Sequence, residues 1–156
     1  MLSQSDADYL LQLLKRLVDQ GVLDFPAEGQ QRTLDLVSED GKEQFVVDIY
    51  RGRINIAKCT YQKRYKREIP LLRLDVEAHP HTNPDGTVIG PNHLHIYMEG
   101  YGDKWAYELE NEPFSDLRDL VTTLIEFLEK CRVVNLHEIS IQGGVFDYDG
   151  QREDLG

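Results

Sequence analysis

Two stretches of strict alternation, Ile69–Glu77 and Asn92–Gly100, constrain this chain more than any other feature. In the first, Leu72, Leu74 and Val76 alternate with Arg73, Asp75 and Glu77. In the second, Leu94, Ile96 and Met98 alternate with His93, His95, Tyr97 and Glu99. A period of two is that of a β-strand with one apolar and one polar face. The turn-forming pairs Asn83-Pro84, Asp85-Gly86 and Gly90-Pro91 lie between them and predict that the chain folds back. Four of the five histidines lie in this region, as the pairs His79/His81 and His93/His95.

Facing side chains of antiparallel neighbours have Cβ atoms about 4.5–5.5 Å apart, close enough to share an ion. At least three of the four imidazoles are therefore expected to meet, although Pro80 argues against a regular strand at His79–His81. Converging imidazoles suit a divalent transition metal, zinc first. The expected ligands are His79, His81, His93 and His95. Asp75, Glu77, Asp85 and Glu99 are the nearby carboxylates expected to orient the second ring nitrogens.

The rest of the chain predicts an α+β domain: an antiparallel, meandering sheet of about five to seven strands between an N-terminal and a C-terminal helix. A helix is expected over 5–20, capped by Ser5, ended by Gly21 and buried through Leu10, Leu14, Leu17 and Val18. Strands follow at Thr33–Val37, Phe45–Tyr50 (after an Asp40-Gly41 hairpin), Ile54–Tyr61 and Lys104–Leu109. Ser115 is expected to cap the second helix, whose stripe is Leu117, Leu120, Val121, Leu124 and Leu128. An apolar stretch from Val133 to Ile141 can add one more strand. Residues 1–146 form one domain in this reading, and 147–156 an acidic, mobile tail.

A formal charge of −11 opposes general binding to nucleic acid. Yet seven of the 17 basic residues fall between Arg51 and Arg67, with no acidic residue among them. Arg51, Arg53, Lys58, Lys63, Arg64, Lys66 and Arg67, interleaved with Tyr61 and Tyr65, are candidates for holding RNA. A solvated strand edge protected by positive charge explains them equally well. No apolar run reaches the roughly 20 residues that span a bilayer, and Asp6, Asp8, Lys15 and Arg16 interrupt the N-terminus where a signal peptide would be apolar. Cys59 and Cys131, far apart, read as buried thiols of a cytoplasmic protein.

Four protein ligands would close a zinc site and make it structural, whereas three would leave a position for water. Histidines alone can also cleave RNA, one as base and one as acid. In that reading His93, His95, Arg73 and Asp75 are the catalytic candidates. The chain has no phosphate-binding glycine loop, nucleophile elbow or His-Glu-x-x-His motif.

The string Leu72-Arg73-Leu74-Asp75, His79-Pro80-His81 with Asn83-Pro84-Asp85-Gly86, His93-Leu94-His95-Ile96-Tyr97 and Lys104-Trp105-Ala106-Tyr107 resembles an uncharacterised family of small proteins of bacteria and mobile elements. Arg73, Asp75, His79, His93 and His95 also resemble the Arg-x-Asp segment and histidine cluster of minimal toxins from toxin–antitoxin operons. In size, charge and expected metal content the chain is similar to small acidic anti-CRISPR proteins. That likeness implies a zinc-stabilised inhibitor whose acidic surface meets the basic nucleic-acid-binding surface of a partner, Cas9 being the specific expectation, with no membrane involved. The non-enzymatic inhibitor is the expected function, and the ribonuclease that the toxin likeness implies is the alternative.

Overall fold

The computed structural model describes residues 1–144, so the expected acidic tail lies outside the described residues. A helix, α1 (Gln4–Gln12), is followed by β1 (Lys15–Leu17), β2 (Gly21–Asp24), β3 (Gln31–Ser38), β4 (Gln44–Arg51), β5 (Cys59–Tyr65) and β6 (Ile69–Val76). The short hairpin β7 (His81–Thr82) and β8 (Val88–Ile89) leads to β9 (His93–Ile96) and β10 (Ala106–Glu108). A second helix, α2 (Leu120–Lys130), a 3-10 turn at Leu136–Glu138 and β11 (Ile139–Gln142) complete the described chain. Seven strands form one antiparallel sheet in the order β1-β3-β4-β5-β6-β9-β10. The expected α+β class is therefore found. β11 pairs in parallel with β2 as a separate small sheet.

Alternation assigns the two faces of the large sheet. Leu34, Leu36, Phe45, Val47, Ile49, Tyr61, Leu74 and Leu94 point to one side, where Leu120, Leu124, Phe127 and Leu128 of α2 cover them. The Tyr61 hydroxyl donates to the Leu120 carbonyl at 3.0 Å, fixing the start of α2 over β5. Emptying such a position, as in Phe127→Ala, costs about 3–5 kcal/mol in cores of this kind.

The opposite face is polar, and register aligns its residues in rows across the strands. One row runs Gln31, Tyr50, Thr60, Asp75, His93; the next runs Thr33, Asp48, Gln62, Arg73, His95. A single-residue slip of β6 or β9 would bury Leu74 or Leu94 on the wrong side, so the core on one face fixes the site on the other.

Several boundaries differ from expectation. α1 is capped by Ser3, not Ser5, and stops after Gln12. The backbone of Lys15 is taken instead by Arg132 and Val134, and β1 pairs with β3. Leu10 and Leu17 are buried, but Leu14 and Val18 are exposed, so the helical stripe does not extend past the first turns. Gly21, at φ 87°, opens β2 and ends no helix. Asp119, not Ser115, caps α2, its side chain accepting from the Thr122 N–H, while Ser115 bonds Glu126. The segment 52–58 is a loop, with Ile54 98% exposed, and the strand begins only at Cys59.

Candidate metal centre

Asp75 on β6 and His93 on β9 are register partners, and His95 is paired with Arg73 one step along. His93 and His95 are 2% and 1% exposed. Their Nε2 atoms each lie 3.2 Å from the same carboxylate oxygen, Asp75 Oδ2. One ligand atom from each of the three residues falls within 4.8 Å of the others. Around an ion bound at about 2.0–2.1 Å, tetrahedral ligand atoms lie roughly 3.3 Å apart, close to the two 3.2 Å separations from Asp75 Oδ2.

The outer nitrogens are fixed as a metal site requires. His93 Nδ1 lies 2.6 Å from the Gly90 carbonyl, and His95 Nδ1 lies 2.8 Å from the Asp103 carbonyl. A carbonyl only accepts, so both rings carry a proton on Nδ1 and aim Nε2 inward. Thr60 Oγ1 donates to the other Asp75 oxygen at 2.8 Å and sets its plane.

The electrostatics follow from this convergence. Burial raises the cost of a charged Asp75, but the hydrogen bond from His93, then the Arg73 guanidinium and the Thr60 hydroxyl, hold it well below the usual carboxylate range. For His93, burial disfavours the charged ring, yet its bonds to Asp75 and to the Gly90 carbonyl leave its pKa above the ordinary value. A positive charge between these groups, proton or metal, is what the arrangement favours. The Arg73 guanidinium lies over them: Nε reaches Asp75 Oδ2 at 3.2 Å, Nη1 reaches Asp103 Oδ2 at 3.1 Å and Nη2 donates to His95 Nε2 at 3.0 Å.

The three residues line an open cleft of about 520 Å³, shared with Tyr50, Lys58, Thr60, Gln62, Arg73, His79 and His81. Asp75, His93 and His95 could thus hold a metal ion with an approach left from solvent.

Residues 2–133 match a family of unknown function, DUF6978, a span that includes every residue of the cleft. The chain belongs to that family. No curated protein and no solved structure matches it.

Of the four histidines expected as ligands, two are in the convergent group. His81 is next to it, its ring centroid 4.7 Å from that of His95, with Nε2 at 2.7 Å from the Lys104 carbonyl. His79 is exposed on the rim of the cleft. Asp75, expected to orient a ring, is itself a candidate ligand. The other carboxylates do different work. Glu77 is exposed in a left-handed conformation at φ 55°, Asp85 accepts from the Thr87 N–H within the hairpin, and Glu99 accepts from the Gln4 N–H at α1. Backbone carbonyls at Gly90 and Asp103 take the orienting role instead, and a side-chain search cannot see them.

Asn83, expected only as a turn residue, does more. Buried, it donates to the Ala106 carbonyl and accepts from the Ala106 N–H, tying the histidine hairpin to β10. The strand pairing it replaces is the reason for its burial.

The basic segment does not form one continuous surface. Lys63 is wholly buried on the α2 side, and the Arg51 side chain is buried with a hydrogen bond to the Pro26 carbonyl. Arg64 is held by Asp48 at 2.6 Å and exposed Arg67 by Asp35 at 2.8 Å, while Lys66 lies over the Tyr65 ring. Arg53 is exposed in the loop before β5. Lys58 is the one of the seven that lines the cleft. Alternation separates Lys63 from Arg64, because neighbours in a strand face opposite sides, while Arg53, Lys58, Lys66 and Arg67 lie outside the strands.

Proposed function

We propose that Asp75, His93 and His95 hold zinc and that the protein is an RNA-cleaving phosphodiesterase, in keeping with its likeness to minimal toxins. One observation carries this reading: three anchored ligand atoms, all within 4.8 Å of one another, line an open cleft that also contains Arg73 and Lys58. Three protein ligands leave a position free, as in catalytic zinc sites. Bound zinc would supply a water acidic enough to ionise near neutral pH. The chain's own residues would do the rest. Arg73 and Lys58 would bind and orient a phosphate. His81, which lines the cleft with its Nε2 held by the Lys104 carbonyl, would carry a proton through Nδ1.

The test is incubation of the purified protein with RNA, with zinc and with chelator, beside His93→Ala and His95→Ala. Cleavage that falls at least about a hundredfold in either variant supports the reading. Intact RNA after long incubation in both conditions overturns it.

The charge of −11 supports a second reading, an inhibitor of a nucleic-acid-processing enzyme such as Cas9. There the metal would pin the hairpin, and acidic side chains would meet a basic surface on the partner. Stoichiometric inhibition without turnover would favour this alternative.

A further inference from the structure

We infer that Arg73 is an internal competitor for the metal centre, so that ion binding requires the guanidinium to swing off His95 while Asp103 retains it at the cleft. This rests on the metal centre proposed above. His95 has one ring nitrogen committed to the Asp103 carbonyl, leaving only the Nε2 lone pair for a cation. Arg73 Nη2 already donates to that lone pair at 3.0 Å, and Arg73 Nε approaches the Asp75 oxygen that the ion would share. A guanidinium and a metal ion cannot use the same lone pair together. They also repel each other across a few ångströms of partly buried space.

The third contact gives the displaced side chain a destination. Asp103 Oδ2 holds Nη1 from outside the ligand group, and the Arg73 side chain is 28% exposed, so it has room to turn toward the cleft. There its fork would be free to bind a phosphate oxygen. Loading the ion thus exposes an anion-binding group, and an anion that engages Arg73 favours loading. The two events are positively coupled. Arg73 acts here as a positioning residue: it changes when the ligands become available and is not itself a ligand.

The experiment is a zinc titration against a chromophoric chelator, read as affinity and not as activity. It uses the full chain, Arg73→Gln, Arg73→Lys and the His93→Ala/His95→Ala double variant, with circular dichroism confirming each fold. Arg73→Gln is expected to tighten zinc at least about tenfold. Arg73→Lys keeps the charge but lacks the fork that reaches Asp75, Asp103 and His95 at once. It is expected to tighten zinc too, by less. Equal affinity in all three Arg73 forms, with loss in the double variant, overturns the competition and leaves the metal centre standing. Tightening in Arg73→Gln alone overturns competition for the lone pair in favour of simple charge repulsion. Zinc bound by no form overturns the centre and the competition together.

Discussion

The two faces of the sheet each bury charged groups, and they do so in opposite ways. On the polar face, Asp75, His93, His95 and Arg73 converge, with the Arg73 guanidinium and the His93 ring set against the Asp75 carboxylate and Arg73 donating to His95. On the α2 face, Lys15 and Lys63 lie beside the same Phe45 ring, at 4.9 and 5.9 Å, and no carboxylate pairs with either among the described residues. Lys15 finds the Leu13 carbonyl at 2.6 Å, whereas Lys63 Nζ has no hydrogen-bond partner among the described residues. Burial, with each amine beside the other, pushes Lys15 down to about 6; burial also lowers Lys63. One cluster is arranged to hold a cation, and the other avoids carrying one. The first has the form of a site; the second has the form of a tolerated cost.

That contrast predicts unequal responses to mutation. The largest is at the ligands. His93→Ala with His95→Ala should abolish zinc retention and RNA cleavage by a hundredfold or more while near-native circular dichroism remains. Unfolding of this variant would move the cluster from function to structure. Next, Asp75→Asn should lower stability by about 2–3 kcal/mol in chelator, measured by urea unfolding, because His93 and the Arg73 guanidinium lose their shared carboxylate. Lys63→Met should do the reverse and stabilise by roughly 1 kcal/mol, since it replaces an orphaned amine with an apolar chain of similar length. A loss of stability there would mean that the amine has a partner essential to the core.

The smallest and most discriminating effect is on pH dependence in chelator. His93 has a raised folded value, so its contribution is complete below its unfolded pKa near 6.5 and fades as pH rises through the folded value. Lys15 has a lowered folded value. Between about 6 and 10.5 the unfolded chain binds a proton that the folded chain does not, so its contribution improves as pH rises. The two clusters therefore tilt stability in opposite directions above neutrality. His93→Gln should steepen the rise with pH, and Lys15→Met should flatten it. Identical slopes in both variants would dissolve the comparison.

Much of this was legible in the sequence, and the losses have physical causes. The alternation of Leu72, Leu74 and Val76 against Arg73 and Asp75 assigned the sheet faces because burial of one face forces it. The same rule placed His93 and His95 together. It failed at Tyr97, expected on the polar face but buried with its hydroxyl on the Leu2 carbonyl, because β9 ends at Ile96 and the chain turns. Asp75, expected to orient a ring, stands as a candidate ligand because strand register sets it 3.2 Å from both rings, and register is not numbered in the sequence. The helix expected over 5–20 was cut short by pairing with β3 and the segment after α2, contacts distant in sequence. Of the four histidines expected as ligands, His93 and His95 converge, His81 lies beside them and His79 sits at the rim of the cleft, where Pro80 follows it.

The central claim is that Asp75, His93 and His95 form a metal centre. Its most direct test is elemental mass spectrometry of untagged protein incubated with excess zinc and freed of unbound ion by gel filtration. The account predicts about one zinc per chain, lost in the His93→Ala/His95→Ala variant and retained in His79→Ala. A zinc-free wild type, or a double variant that retains as much zinc as the wild type, would contradict it.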